Sequence, residues 1–334
     1  MSGNPRAIAC VPLRMMTQRP FQLLSFIPAL ALFTPLACGA AKAVDDPERA
    51  RLVTEDIPRF WEAFDARAKL GTAAALDTLY LKPGSRGLKD WKRLRLQDAA
   101  TMAKTVDSAA AYYESARAST LRIAEQEPHI RAAFRKLDEL YDDAVFPDVY
   151  FVIGRLSSGG TPSDAGLLIG AEMYGRTDDP VAGRMGAWLA AVLRPVEDVP
   201  GIVAHELVHY QQRSPGRSLI SRAVNEGSAD FIGEMISGIN INAHVHAWVF
   251  AEEGRERALW EEFRTRMRGS DDKGWFTTDD EAKRPKDLAY FMGYRIAQSY
   301  YERTADKKAA IREILRVKDA ENFLERSGYA ERFR

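Results

Sequence analysis

The run His205-Glu206-Leu207-Val208-His209 constrains this chain more than any other stretch. On an α-helix, residues four apart are offset by about 40° and rise about 6 Å, so the two imidazoles share a face and can reach one metal ion. Glu206 stands beside them without being forced into coordination, which suits a base that takes a proton from metal-bound water. There are 5 histidines and 47 acidic residues among 334. Chance supplies a His-acid-x-x-His run in about one of a hundred chains of that composition. The flanks also read as helix: Asp198 is placed to cap it, Pro200 fits its first turn, and Ile202, Val203, Leu207 and Val208 offer apolar contacts.

Two histidines leave a zinc ion short of its usual three protein ligands plus a water. The next segment holds donors. Ser214-Pro215-Gly216 breaks the first helix, and Leu219 to Ile236 reads as a second, with Gly238 as its stop. Within it, Asn225-Glu226-Gly227-Ser228-Ala229-Asp230 puts Glu226 and Asp230 four apart on one face, and Glu234 continues the stripe. All three are candidate ligands. Glu226 is preferred because it lies nearest in sequence to the first helix and leaves Asp230 free to hold the outer nitrogen of a liganding histidine. The competing role for Glu234 is a solvated or salt-bridged helix residue.

His-Glu-x-x-His followed by a helix carrying Asn-Glu-x-x-x-Asp resembles the gluzincin metallopeptidases, the thermolysin-like group that holds zinc with two histidines and a glutamate. The resemblance implies His205, His209 and Glu226 as Zn2+ ligands, Glu206 as general base, and Asp230 as the carboxylate that orients a zinc-bound imidazole. Within that group, Ile202 to Gln212 together with Glu226 to Ile232 resembles bacterial predicted zincins related to the gliding-motility lipoprotein. Gly84-Ser85-Arg86-Gly87-Leu88 and the run from Asp148 to Gly175 fit the same likeness, which therefore spans most of the chain after its leader. Gluzincins stabilise the tetrahedral oxyanion with a Tyr or His from elsewhere. Tyr294 is the expected residue here, because Gly293 would let its helix approach the cleft closely; Tyr290, His244 and His246 stand in reserve.

The amino terminus predicts export. Arg6, Arg14 and Arg19 precede an apolar run from Phe21 to Leu36, and Ala41-Lys42-Ala43 offers a small-residue cleavage site, so residues 1–43 read as a signal peptide and the protein as periplasmic or secreted. Lipid attachment at Cys38 is the alternative, although Pro35 and Leu36 fit a lipobox poorly. A membrane anchor is disfavoured by the shortness of the run and by Pro28 and Pro35. Both cysteines, Cys10 and Cys38, fall in the leader, which removes disulfides, thiol nucleophiles and cysteine-held zinc from the mature chain. Four of the 47 basic residues also fall there, so 43 face 47 acidic ones, a net charge of −4. That balance points to no nucleic-acid or anionic-membrane partner.

About 290 residues remain, enough for one large domain or two intimate lobes. Ile57, Phe60, Trp61 and Phe64 recur at helical spacing, as do Ile130, Phe134, Leu137 and Tyr141, and further helices are expected between them. Residues 44–146 thus read as a helical lobe packed against a catalytic region at 147–334. From Pro147 the period changes: Val149 to Ile153 and Leu167 to Ala171 predict two strands, joined by a hairpin loop at Ser157 to Pro162, with the second run as the edge that takes an extended peptide. Helices are expected again at 252–268 and 287–303, with a surface loop at 269–285 between them. The expected class is α+β, mainly helical, with a small sheet and an active-site helix in a zincin-like core. The leading function is zinc-dependent hydrolysis of a peptide or protein substrate. A non-catalytic zincin-shaped envelope binding or assembly protein is the alternative, and an amidase acting on cell-wall peptides shares the first chemistry.

Overall fold

A small four-stranded sheet sits among helices of a mainly helical α+β fold. The computed structural model describes residues 43–277 and 284–334. The expected leader and the alternative lipid site at Cys38 lie outside the described residues. Those from 43 onward belong to one compact unit. Among them no helix is long and apolar enough to cross a membrane.

The sheet combines distant parts of the chain. Its strands are β1 (Leu52–Val53), β2 (Val149–Val152), β3 (Gly160–Ser163) and β4 (Gly166–Gly170), in the order β1-β2-β4-β3. β2 runs parallel to both β1 and β4, while β3 returns antiparallel along β4. The two apolar runs are therefore strands, but they are not partners in a hairpin. The expected hairpin loop contributes a strand of its own, and the edge is β3 rather than the second apolar run. Composition explains the placement. β2 and β4 are buried at every position, as suits strands covered on both faces. Gly-Thr-Pro-Ser, whose proline has no N–H to give a central ladder, is tolerated only at an edge.

Helix α1 (Asp56–Leu70) lays Ile57, Phe60, Trp61 and Phe64 into the core. Phe60 meets Tyr80 at 5.4 Å and Tyr113 at 5.6 Å between ring centroids. Each such buried side chain contributes about 1.5–3 kcal/mol relative to exposure. Helix α2 (Ala99–Ser108), α3 (Ala110–Leu121) and α4 (Glu127–Leu140) follow. Two tyrosines and a carboxylate hold the arch after β2. The Tyr80 hydroxyl donates to Ile153 O at 2.7 Å and the Tyr113 hydroxyl to Gly154 O at 2.9 Å. Buried Glu172 accepts from Gly154 N at 2.6 Å and Leu156 N at 3.1 Å. Leu156 adopts a left-handed φ of 57°, and the bend there sends the chain towards β3.

Two helices carry the expected motifs. Helix α5 (Val199–Gln211) is buried from Val199 to Val208. Asp198 stands at its N-cap, as expected, but its side chain makes no capping bond. Helix α6 (Leu219–Ser237) begins where the Ser218 hydroxyl accepts from Ser221 N and ends at left-handed Gly238. After α7 (Ala243–Phe250) and α8 (Arg255–Arg266) comes α9 (Leu288–Arg303). α6 and α9 cross through two glycines: a Cβ on Gly293 would lie 1.7 Å from Ala223 O, and one on Gly227 would lie 2.1 Å from Tyr294 N. Only glycine lets the backbones touch this closely. The expected surface loop between α8 and α9 is pinned by Trp275 and Phe276, which are buried, and the Phe276 ring lies 5.6 Å from that of Tyr290. Helices α10 (Lys307–Leu315) and α11 (Ala320–Ser327) close the chain over Leu315, Val317, Phe323 and Leu324.

Candidate metal centre

The packing of α5 on α6 turns one face of each helix towards a common point. The rings of His205 and His209 are 4.5 Å apart, and Glu226 reaches across from α6. Glu226 Oε2 lies 3.1 Å from His209 Nε2 and 3.7 Å from His205 Nε2. One donor atom from each of the three residues falls within 4.8 Å of the others. Metal–ligand distances near 2.1 Å in a tetrahedron imply ligand atoms about 3.4 Å apart, so the group can hold a metal ion.

Both outer nitrogens are held by neighbours. His205 Nδ1 lies 2.8 Å from Asp230 Oδ1, without the alignment of a good hydrogen bond, while Asp230 Oδ2 accepts from Asn242 Nδ2 at 2.7 Å. His209 Nδ1 meets Gln212 Oε1 at 2.7 Å, and the Gln212 amide donates to Asn225 O and the Ser228 hydroxyl. Holding Nδ1 in this way directs Nε2 of each ring at the ion position. Sequence reasoning found Asp230 but missed Gln212 and Asn242. Gln212, three residues after His209, carried a positional signal, whereas Asn242 carried none.

The competing donors are sorted by their partners. Asp230 is taken up by His205 and Asn242. Glu234 accepts from the Tyr294 hydroxyl at 2.8 Å and from Asn240 Nδ2 at 2.9 Å. Glu234 lies two turns beyond Glu226, a rise of about 12 Å, so the Tyr294 hydroxyl is directed away from the histidines. Tyr290, rather than Tyr294, lies beside the histidines: its ring stacks on His205 at 6.2 Å and 21°, and the charge of Glu226 bears on its hydroxyl. His244 Nδ1 contacts Arg194 at 3.0 Å, and His246 packs against Phe291 and Tyr294. Neither joins the cluster.

Charge within the cluster follows from burial and pairing. Burial disfavours imidazolium at His205, but Asp230 and Glu226 outweigh it and lift the group to about 10. His209 is raised too, with Glu226 overcoming burial. Burial works against ionised Glu226, yet the two imidazoles hold its carboxyl well below the usual range. Burial pushes Glu206 upward. Only 7% exposed, Glu206 lies against β3, where a Cβ on Gly160 would be 2.6 Å from its Oε1. A buried carboxyl with a raised proton affinity suits proton transfer near neutral pH.

No family model matches this chain. Neither the curated proteins nor the solved structures contain a match to it.

Proposed function

We propose that the protein is an exported zinc-dependent metallopeptidase of gluzincin type. The observation that carries this reading is the convergence of His205, His209 and Glu226 beside a fourth residue, the acid Glu206, that is not needed to hold the ion. Nitrogen and carboxylate donors in a group of three are the set that catalytic zinc uses. Bound there, zinc would supply Lewis-acid polarisation of a carbonyl and of the attacking water.

The chain's own residues supply the rest. Glu206 takes a proton from the attacking water and delivers it to the departing amine. The hydroxyl of Tyr290, rather than that of Tyr294, donates to the oxyanion. Among the described residues β3 has no partner on its outer side, and an extended peptide added there would pass Glu206 at Gly160. The rival reading is a zincin-shaped envelope binding or assembly protein without turnover, its metal retained for structure or lost. Glu206 favours the enzyme, because a structural site gains nothing from a buried acid beside the ligands.

Metal analysis and a peptide-library digest test this directly, using wild type and Glu206→Gln. Stoichiometric zinc in both, with cleavage by wild type alone, is the expected result. Zinc without cleavage in either supports the rival, and absence of bound metal overturns the metallopeptidase.

A further inference from the structure

Arg95 and Arg155 are two partly buried cations to which no acid is paired among the described residues. Comparable arginines in this protein do find one: Arg131 with Glu127, Arg222 with Asp272, Arg295 with Glu256. Arg95 Nε is fully enclosed and makes no hydrogen bond. Burying a guanidinium with neither counterion nor acceptor is costly. The two residues are also joined, since Arg155 Nε donates to the backbone carbonyl of Arg95 at 2.8 Å. That bond ties the π-helical turn Lys92–Leu96 to the arch leading into β3. Five residues past Arg155, Gly160 touches Glu206. Glu206 is the carboxylate whose charge bears on Arg95, although no ion pair joins the two.

We propose that Arg95, with Arg155 beside it, forms an anion subsite next to Glu206 that takes a carboxylate of the peptide substrate. The inference rests on the metallopeptidase reading and names its substrate class: peptides bearing a carboxylate close to the bond cleaved. A planar guanidinium with free N–H groups matches a carboxylate bidentately. The source of the carboxylate is either the peptide's terminus or an Asp or Glu side chain.

Calorimetry on the zinc-free chain separates these sources with two pairs of probes. Acetyl-tetraalanine as free acid is compared with its amide, and acetyl-Ala-Ala-Glu-Ala-Ala-amide with its Gln counterpart. Wild type is expected to bind one carboxylate peptide about 10- to 100-fold more tightly than its neutral twin. Preference for the free acid identifies a terminal carboxylate, and preference for Glu identifies a side chain. Arg95→Ala abolishes the difference, Arg95→Lys restores part of it, and Arg155→Ala reduces it. Equal affinity for both members of each pair, no binding to any probe, or a preference that survives in folded Arg95→Ala overturns the proposal. If Arg95→Ala does not fold, undiminished preference in both Arg95→Lys and Arg155→Ala overturns it instead. Binding requires neither zinc nor turnover, so a failure of the catalytic reading shows separately in metal content and cleavage.

Discussion

Gly160 of β3 lies against the side chain of Glu206 so closely that an added Cβ would sit 2.6 Å from Oε1 and 2.8 Å from Cγ. Strand β3 therefore also sets where the candidate general base stands. Gly160→Ala is expected to displace the carboxylate, which can move more cheaply than backbone. A misplacement of about 1 Å lowers turnover about 100-fold. Peptide cleavage should fall by that order while zinc content stays stoichiometric; an unchanged rate would show that Glu206 tolerates displacement.

Gly293 faces backbone instead of a movable side chain, with Ala223 O only 1.7 Å from its ideal Cβ. Gly293→Ala must part α6 from α9 and should cost about 3 kcal/mol. Gly238→Ala serves as the contrast, because its φ of 78° opens into free space. Only the left-handed penalty of about 1 kcal/mol applies there. Urea unfolding of the two variants should rank them in that order.

Asp230→Asn removes the negative charge beside His205 Nδ1 while keeping the shape of the side chain. Loss of such an outer partner weakens metal binding about 10- to 100-fold. Competition against a chromophoric chelator should show that drop in zinc affinity. Equal affinity in the variant would place the orientation of His205 under the control of packing alone.

Glu172 carries a pH dependence of stability. Burial pushes its carboxyl from 4.5 up to about 7, despite the N–H groups of Gly154 and Leu156 that favour the anion. The folded state thus binds the proton more tightly than the unfolded state. Its contribution is present in full below about pH 4.5 and is lost as pH rises through 7, by about 3 kcal/mol in all. Denaturant unfolding at pH 5 and pH 8 should show this loss in wild type relative to Glu172→Gln, which cannot titrate. Parallel pH profiles for the two proteins would assign the slope to other groups.

The pair of histidines on one helical face, the second helix with Glu226, and the apolar stripe of α1 were legible in the sequence, because helical periodicity is local and is fixed by backbone geometry. The cap at Ser218 and the stop at Gly238 are local in the same sense. Tyr290 and Tyr294 show where that legibility ends. They are four apart and share a face of α9, so periodicity cannot say which turn meets the histidines. The contact between Gly227 and Gly293 decides it, setting Tyr290 beside His205 and Tyr294 beside Glu234.

The sheet edge followed the same rule. Gly160 to Ser163 looks like a loop by composition, and becomes a strand only because β4 offers it a ladder while the arch at Glu172 aims it there. Arg95 comes within electrostatic range of Glu206 from more than a hundred residues upstream, with no motif to announce it. Residue spacing by itself determined the helices, the donor types and which side chains share a face. Register between helices, the order of strands and the company each donor keeps came only with tertiary packing, since they depend on contacts between residues far apart in the chain.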